Sequence, residues 1–512
     1  MNSLPHLFPT VVHMLKTAAD LSPDREALVC IDDRLNYRDY LSCVAGFAHE
    51  LVEAGARNER VALVLGNSVD ICIAMFAAHA AGAQAVPINP LYTRREIGQI
   101  LKDADPWVVI YDLDKAEIVE PIADEFNITH QLCIGEKNRR LTEWVGAKEL
   151  NLPEPLPDPD SMATLQYTGG TTGHPKGVNL THRAIVTNIS QREAILPTRP
   201  DSERILCIMP LFHCYAVAMC LHNMVYCRGT LIILPKYHPD TVFDAIPAED
   251  ITIFAGSPTI FTGLMNHERF EQIDFSRMHI TYSGSAALPE DLLRRWEKAT
   301  GSPVIEGYGQ SESGPVLTFN PLKGTRKPRS VGIPIPETEL EIVDLINGTD
   351  CQPVAVEGEV RVRGPQIMSG YRNLPDETAS TLKNGWLYTS DIGRLDEDGY
   401  LYLCDRKKEM VIVSGFNVYP REIEEVLHAH DGIREVAVIG IPDSYRGEII
   451  VAFIVVKDNQ TVTVEELTEY CASNLAEYKI PSKMEFFKEL PKTAVGKIDK
   501  EQLRKEAQNE QV

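Results

Sequence analysis

Residues 167–177 read Tyr-Thr-Gly-Gly-Thr-Thr-Gly-His-Pro-Lys-Gly. Gly169, Gly170 and Gly173 let backbone N–H groups come close to an anion, and the hydroxyls of Thr168, Thr171 and Thr172 add hydrogen-bonding oxygens. Lys176 adds a compact positive charge. These are the parts of a phosphate-binding loop, and they point to an enzyme that consumes a nucleotide. It is not a Walker A loop, because Lys176 follows Gly173 by three residues with Pro175 between them, and it is not a dinucleotide fingerprint. Taken alone, the segment could also be a hairpin turn with an incidental lysine.

Other segments carry chemistry of the same kind. Ser283-Gly-Ser-Ala-Ala287, followed by Glu306-Gly-Tyr-Gly-Gln-Ser-Glu312, puts an aromatic ring, small residues and one acid after apolar runs. Tyr308 could stack a nucleobase or be a core aromatic; Glu312 could hold Mg²⁺, which takes one or two protein carboxylates plus phosphates, or be a surface or helix-start acid. Asp391, in Gly385-Trp-Leu-Tyr-Thr-Ser-Asp-Ile-Gly393, could accept from both ribose hydroxyls or serve as a turn aspartate. A basic cluster, Arg406, Lys407 and Lys408, leads into Ser414-Gly-Phe-Asn417, and Lys497 sits in a polar loop near the C-terminus.

The elements that must position these groups alternate. Helical stretches at 38–54 and 69–81 interleave with apolar runs at 60–65 and 84–88, a rhythm that predicts a parallel sheet with helices on its faces. The run 162–167 reads as a buried strand, placing the glycine loop at a strand end, and the rhythm resumes with helices at 183–194 and 216–227 and strands at 204–209 and 230–234. Residues 152–159, with four prolines, read as a rigid connector. Residues 338–403 read as a β-rich subdomain, and 411–512 as a compact α+β unit with helices at 420–429 and 464–474 and strands at 437–441 and 451–456.

Composition narrows the class. The formal net charge of -23 over 512 residues argues against nucleic-acid binding and gives no anionic-membrane patch. Eleven cysteines at irregular spacing, with no C-x-x-C pair, suit reduced thiols in a cytoplasmic protein. No signal peptide is evident, and the most apolar window, 71–86, is shorter than the ~20 residues a bilayer requires and reads as a buried helix.

In this order the segments resemble the adenylate-forming superfamily of acyl-CoA synthetases, firefly luciferase and peptide-synthetase adenylation domains, across nearly the whole chain. Residues 166–173, 405–420 and 86–92 are most similar to the bacterial medium- and long-chain fatty acid–CoA ligases. The resemblance implies a large N-terminal domain, 1–405, of parallel α/β subdomains plus the β-rich one, hinged to a small mobile α+β domain, 406–512. It implies that ATP and Mg²⁺ convert a carboxylic acid to acyl-AMP, which coenzyme A then takes as a thioester. Thr168 to Lys176 would wrap the ATP phosphates, and Glu312 with Thr168 would ligate Mg²⁺. Ser285, Ala286 and Tyr308 would flank adenine, with Glu306, Gly307 and Ser311 beside them, and Asp391 and Arg406 would hold the ribose. Lys497 would reach the substrate carboxylate and α-phosphate. By the same resemblance Lys408 would fall at the family's hinge, and Ser414, Gly415, Phe416 and Asn417, with Lys236, would face coenzyme A. The family commonly has Ser, Thr and Gly where this chain has Gly169, Ser311 and Ser390.

The family's acyl-pocket wall corresponds to 212–220, giving His213, Tyr215 and Ala218, with Gly284 and Gly307 opposite. His213 stands where amino-acid-activating relatives place an Asp, and the wall has no Arg or Lys for a second carboxylate, so an alkyl acid is expected, each buried CH₂ contributing ~0.8 kcal/mol. Aryl acids of the 4-coumarate type are the nearest rival substrates, and a carrier-protein thiol acting in trans is the rival acceptor. A non-catalytic binder of acyl-AMP is the remaining alternative. Homodimers are common in the family, and membrane contact would be peripheral at most.

Overall fold

The computed structural model describes residues 4–135, 138–147, 150–168, 175–407, 409–413, 416–443, 446–458, 460–493 and 497–509. Among them, two large sheets share one core. The first has nine strands in the order Ile333–Pro334, Val316–Phe319, Val304–Gly309, Ile280–Ser283, Ile253–Gly256, Arg204–Cys207, Thr230–Ile233, Glu26–Cys30 and Asp33–Asn36. It is parallel from Val304–Gly309 through Glu26–Cys30 and antiparallel at its ends. The second has seven: Gly370–Tyr371, Lys176–Thr181, Met162–Thr168, Gln84–Pro87, Arg60–Val64, Val108–Asp112 and His130–Ile134, parallel from Met162–Thr168 onward. The strand after the proline connector thus joins the sheet that precedes it, as the continuing rhythm requires.

Helix Val69–Ala80 is buried on every face, and its side chains meet those of both sheets in a single core. That is why its sequence lacks the polar stripe of a surface helix. The Ser68 hydroxyl caps it, accepting from the Ile71 N–H at 3.3 Å. The expected helix at 216–227 is a helical run from Cys214 to Cys227 with a π-helical middle, Val217–His222. At its end the Asn223 amide donates to the Met219 carbonyl, 3.2 Å, so a side chain enters the backbone ladder.

The β-rich unit is an antiparallel sheet of Glu339–Val343, Gly358–Arg363, Trp386–Leu395 and Leu382–Lys383, with Leu401–Arg406 paired to Trp386–Leu395. The C-terminal unit is a sheet of Phe416–Val418, Val411–Val413, Gly447–Val456, Ile433–Asp443 and Lys483–Phe486. Helices Pro420–His428 and Val464–Asn474 pack on one face of that sheet and Lys500–Asn509 on the other. No helix among the described residues is long and apolar enough to cross a membrane.

The main core also encloses imidazoles. His79 and His182 lie edge to face, 5.3 Å between ring centroids, and Phe76 packs against both His79 and His222. Burial pushes His79 down to about 4 and His222 to about 3, and holds His182 well below the usual histidine value. All three stay neutral in the fold, whereas in the unfolded chain they take up protons below ~6.5. Their contribution is therefore intact above that pH and is lost as pH falls toward the folded values. Between pH 6.5 and 5 this amounts to about 2 kcal/mol per imidazole. Melting temperatures scanned from pH 8 to pH 5 are expected to fall, and less steeply for His79→Gln; parallel slopes would refute the cluster as the cause.

Candidate active site

Strands Met162–Thr168 and Lys176–Thr181 form an antiparallel hairpin closed by the pair Thr168 and Lys176, with the Thr168 hydroxyl donating to the Lys176 carbonyl at 3.4 Å. The hairpin reading of the segment therefore holds for the strands that flank residues 169–174. Gly169, Gly170, Thr171, Thr172 and Gly173 lie outside the described residues. The Lys176 ammonium pairs with Glu377, 2.6 Å, and sits 5.4 Å over the ring of Tyr371. The Tyr371 hydroxyl donates to Glu312 Oε1 at 2.9 Å. Strand Gly370–Tyr371 adds to the hairpin through Asn179 and Val178, which fixes that ring between Lys176 and Glu312. Glu312 itself is buried in the 3-10 turn Ser311–Ser313, whose Ser311 hydroxyl lies 3.3 Å from the Cys214 thiol.

The second group stands at the C-terminal ends of parallel strands, where open α/β sheets bind ligands. Ser285 and Ala286 follow strand Ile280–Ser283, and Glu306, Gly307 and Tyr308 end strand Val304–Gly309. Glu306 ties the two ends together, its Oε1 accepting from the Leu288 N–H at 3.0 Å. Burial pushes its carboxyl up to about 7. The Tyr308 hydroxyl donates to Asp391 Oδ2 at 2.5 Å, and Arg406 Nε lies 3.3 Å from Asp391 Oδ1. Asp391 and Arg406 face each other across paired strands, and Asp391 raises the Arg406 guanidinium above its ordinary value. Ser390, just before the acid, has φ +59°, and its carbonyl accepts from the Lys407 N–H at 2.9 Å. A left-handed residue is easiest as glycine, which gives the physical sense of the family's preference there.

Lys497 reaches into this space from the C-terminal unit. Burial lowers its ammonium, Arg406 adds repulsion, and Cys214 and Asp391 act the other way. His213 is pushed down to about 4, by burial first and then by Lys497, and its Nδ1 accepts from the Tyr215 N–H at 3.3 Å. It is a neutral cap at physiological pH and supplies no charge to a substrate. The Tyr215 hydroxyl donates to the carbonyls of Gly256, 3.2 Å, and Tyr282, 3.3 Å. Its ring lies against Gly284, where a Cβ would come within 2.9 Å of it. A Cβ at Gly307 would come within 2.1 Å of Phe319, so that glycine is explained by its neighbour. Ala218 is buried in the π-helical segment.

Six residues named from sequence, Lys176, Glu312, Tyr308, Asp391, Arg406 and Lys497, thus gather around one space. Lys236 is exposed beyond strand Thr230–Ile233. Lys408, Ser414 and Gly415 lie outside the described residues; Phe416 and Asn417 are placed only as backbone of strand Phe416–Val418. Among the described residues no group of three or more His, Cys, Asp or Glu could hold a metal ion. Sequence reasoning missed Tyr371 and Glu377. Their one local signal is Pro375 opening a short helix with two acids in its first turn.

Residues 15–372 match the family described as AMP-binding enzyme, and residues 422–497 match the AMP-binding enzyme C-terminal domain. The chain is 37% identical to the long-chain-fatty-acid–CoA ligase of Bacillus subtilis (strain 168), over 99% of this chain and 96% of that protein. Among solved structures, ATP-bound MatB from Rhodopseudomonas palustris superposes with a TM-score of 0.91 at 29% identity, covering 98% of this chain and 99% of that one. Apo MatB from the same organism gives 0.81 at 30% identity, with the same coverage of 98% and 99%.

Proposed function

Because the chain belongs to the family of AMP-binding enzymes, we propose that it activates a medium- to long-chain fatty acid and that the residues gathered above carry the reaction. It is an AMP-forming acid–CoA ligase. In the first step a carboxylate oxygen attacks the α-phosphorus of ATP and the bond to pyrophosphate breaks. In the second the thiol of coenzyme A attacks the acyl carbonyl and AMP leaves.

Two anions meet in the first step, so positive charge is needed at the attacking carboxylate and at the departing pyrophosphate. Lys497 serves the first and Lys176 the second. Glu312, a buried carboxylate across the Tyr371 ring from Lys176, would with the hydroxyl-bearing Thr168 fit the hard-oxygen ligand set of Mg²⁺, which leaves most positions to phosphate oxygens. When bound, Mg²⁺ adds charge on the pyrophosphate. Asp391, held by Tyr308 and Arg406, takes the ribose hydroxyls; Ser285, Ala286 and Tyr308 flank adenine, with Glu306, Gly307 and Ser311 behind them. The observation that carries this reading is a lysine of the C-terminal unit lodged beside the Asp391 and Arg406 pair.

In the second step the thiol needs the space Lys497 fills, so the C-terminal unit withdraws about Lys408 and brings the 414–417 segment forward, with Lys236 toward coenzyme A. The acyl wall of Tyr215, Ala218 and Gly284 is uncharged and His213 is neutral, which favours an alkyl chain.

The test is ATP- and Mg²⁺-dependent pyrophosphate release over straight-chain fatty acids of graded length and 4-coumarate, with and without coenzyme A. Turnover with fatty acids that rises on adding coenzyme A is expected. Preference for 4-coumarate would reassign the acid, stoichiometric release indifferent to coenzyme A would make a carrier protein the acceptor, and no release with any acid would overturn the reading.

A further inference from the structure

Arg329 adopts φ +67°, in the left-handed region where any residue but glycine is strained. The backbone around it is pinned: the Ser330 hydroxyl donates to the Leu401 carbonyl at 2.9 Å, the Asn320 amide to the Ser330 carbonyl at 2.6 Å, and the Lys327 N–H to Asn320 Oδ1 at 3.0 Å. A glycine would meet this geometry without cost, yet the chain carries an arginine. Its guanidinium crosses to the C-terminal unit and pairs with Glu425 on helix Pro420–His428. Arg421 adds a second positive charge beside Glu425, with Nε 3.3 Å from Oε1, and its backbone N–H donates to Asp405 Oδ2 at 3.0 Å. Behind them lies Glu306, whose buried Oε2 has no hydrogen-bond partner among the described residues.

We infer that Arg329, Glu425 and Arg421 form a positioning latch that holds the C-terminal unit where Lys497 lies in the active site, and so sets the balance between the two half-reactions. The inference rests on the two-step reading above. Helix Pro420–His428 carries the latch on the same unit as Lys497, so a tie at Arg329 restrains the lysine from outside the site. The strength suits the task. Arg329 is more than half exposed, and an exposed ion pair shifts an equilibrium only a few-fold. A catch that must open at every turnover cannot be much stronger.

The test compares Arg329→Gly, Glu425→Gln and the double variant with the wild type. Pyrophosphate release from ATP and fatty acid, thioester formation from preformed acyl-AMP and coenzyme A, and melting temperature are measured for each. Arg329→Gly is expected to slow pyrophosphate release roughly two- to fivefold, to leave thioester formation undiminished, and to keep or raise the melting temperature because strain is relieved. Glu425→Gln should give the same split, and the double variant should lose no more than either single one. Equal loss in both half-reactions, no change in either, or additive losses would overturn the latch. If the wild type releases no pyrophosphate, the functional reading fails instead. Hydrogen exchange across residues 420–428 then decides the latch, faster exchange in Arg329→Gly supporting it and unchanged exchange refuting it.

Discussion

Lys497→Ala is expected to slow pyrophosphate release 10²- to 10³-fold, the scale for one preorganised charge aimed at a transition state. Thioester formation from preformed acyl-AMP should be largely spared. The asymmetry follows from where charge develops. In the proposed first step two anions converge, and Lys497 would be the cation that the C-terminal unit adds to the Arg406 and Asp391 pair. In the proposed second step the acyl group is already bonded to phosphate and the lysine would have to leave. Burial lowers the ammonium from its ordinary 10.5, and the cation is the active form. The kcat/KM of adenylation, which reports the free enzyme, is therefore expected to fall as pH rises through a value below that of a free lysine, and that of the Ala variant should lack this alkaline limb. Equal loss in the two half-reactions would sink the assignment.

What could be read from the sequence was the set of residues whose local context announces them. A glycine loop after a buried strand, a Gly-Tyr-Gly at a strand end, and an acid facing a basic cluster each combine a residue type with a backbone need, and both are local. What could not be read was pairing across distance. Glu26–Cys30 sits in the first stretch of the α/β rhythm yet joins Thr230–Ile233 in the other large sheet, because parallel partners are chosen by packing and not by sequence neighbourhood. Tyr371 and Glu377 reach Glu312 and Lys176 from roughly two hundred residues beyond Lys176, through a short strand without a periodic signal. Gly284 and Gly307, which the resemblance places at the acyl pocket, also have a local reason to be glycine that the sequence hides: Tyr215 and Phe319 occupy the space a Cβ would need. Ser390 and Arg329 show the reverse, side chains kept where the backbone asks for glycine, both beside the junction with the C-terminal unit.

Asp391→Asn should lower kcat/KM for ATP by 10²- to 10³-fold, and by a route opposite to that of Lys497. The carboxylate is buried, with one oxygen 2.5 Å from the Tyr308 hydroxyl and the other 3.3 Å from Arg406 Nε. An amide keeps the shape but removes the charge and leaves Arg406 without its strongest counter-charge. If both ribose hydroxyls donate to this group, each charged hydrogen bond contributes about 1.5–3 kcal/mol, and two of them account for the predicted loss. The ribose is present in ATP and in acyl-AMP alike, so thioester formation from preformed acyl-AMP should fall as well, where Lys497→Ala spares it. A substrate change isolates the contact: 2′-deoxy-ATP should be a poorer substrate than ATP for the wild type by roughly tenfold or more, and nearly equal to ATP for the Asn variant. Undiminished discrimination in the variant, with melting temperature unchanged, would mean that Asp391 only braces Tyr308 and Arg406. The ribose would then be held by another group, and Arg406, 3.3 Å from Asp391, is the neighbouring donor to test next.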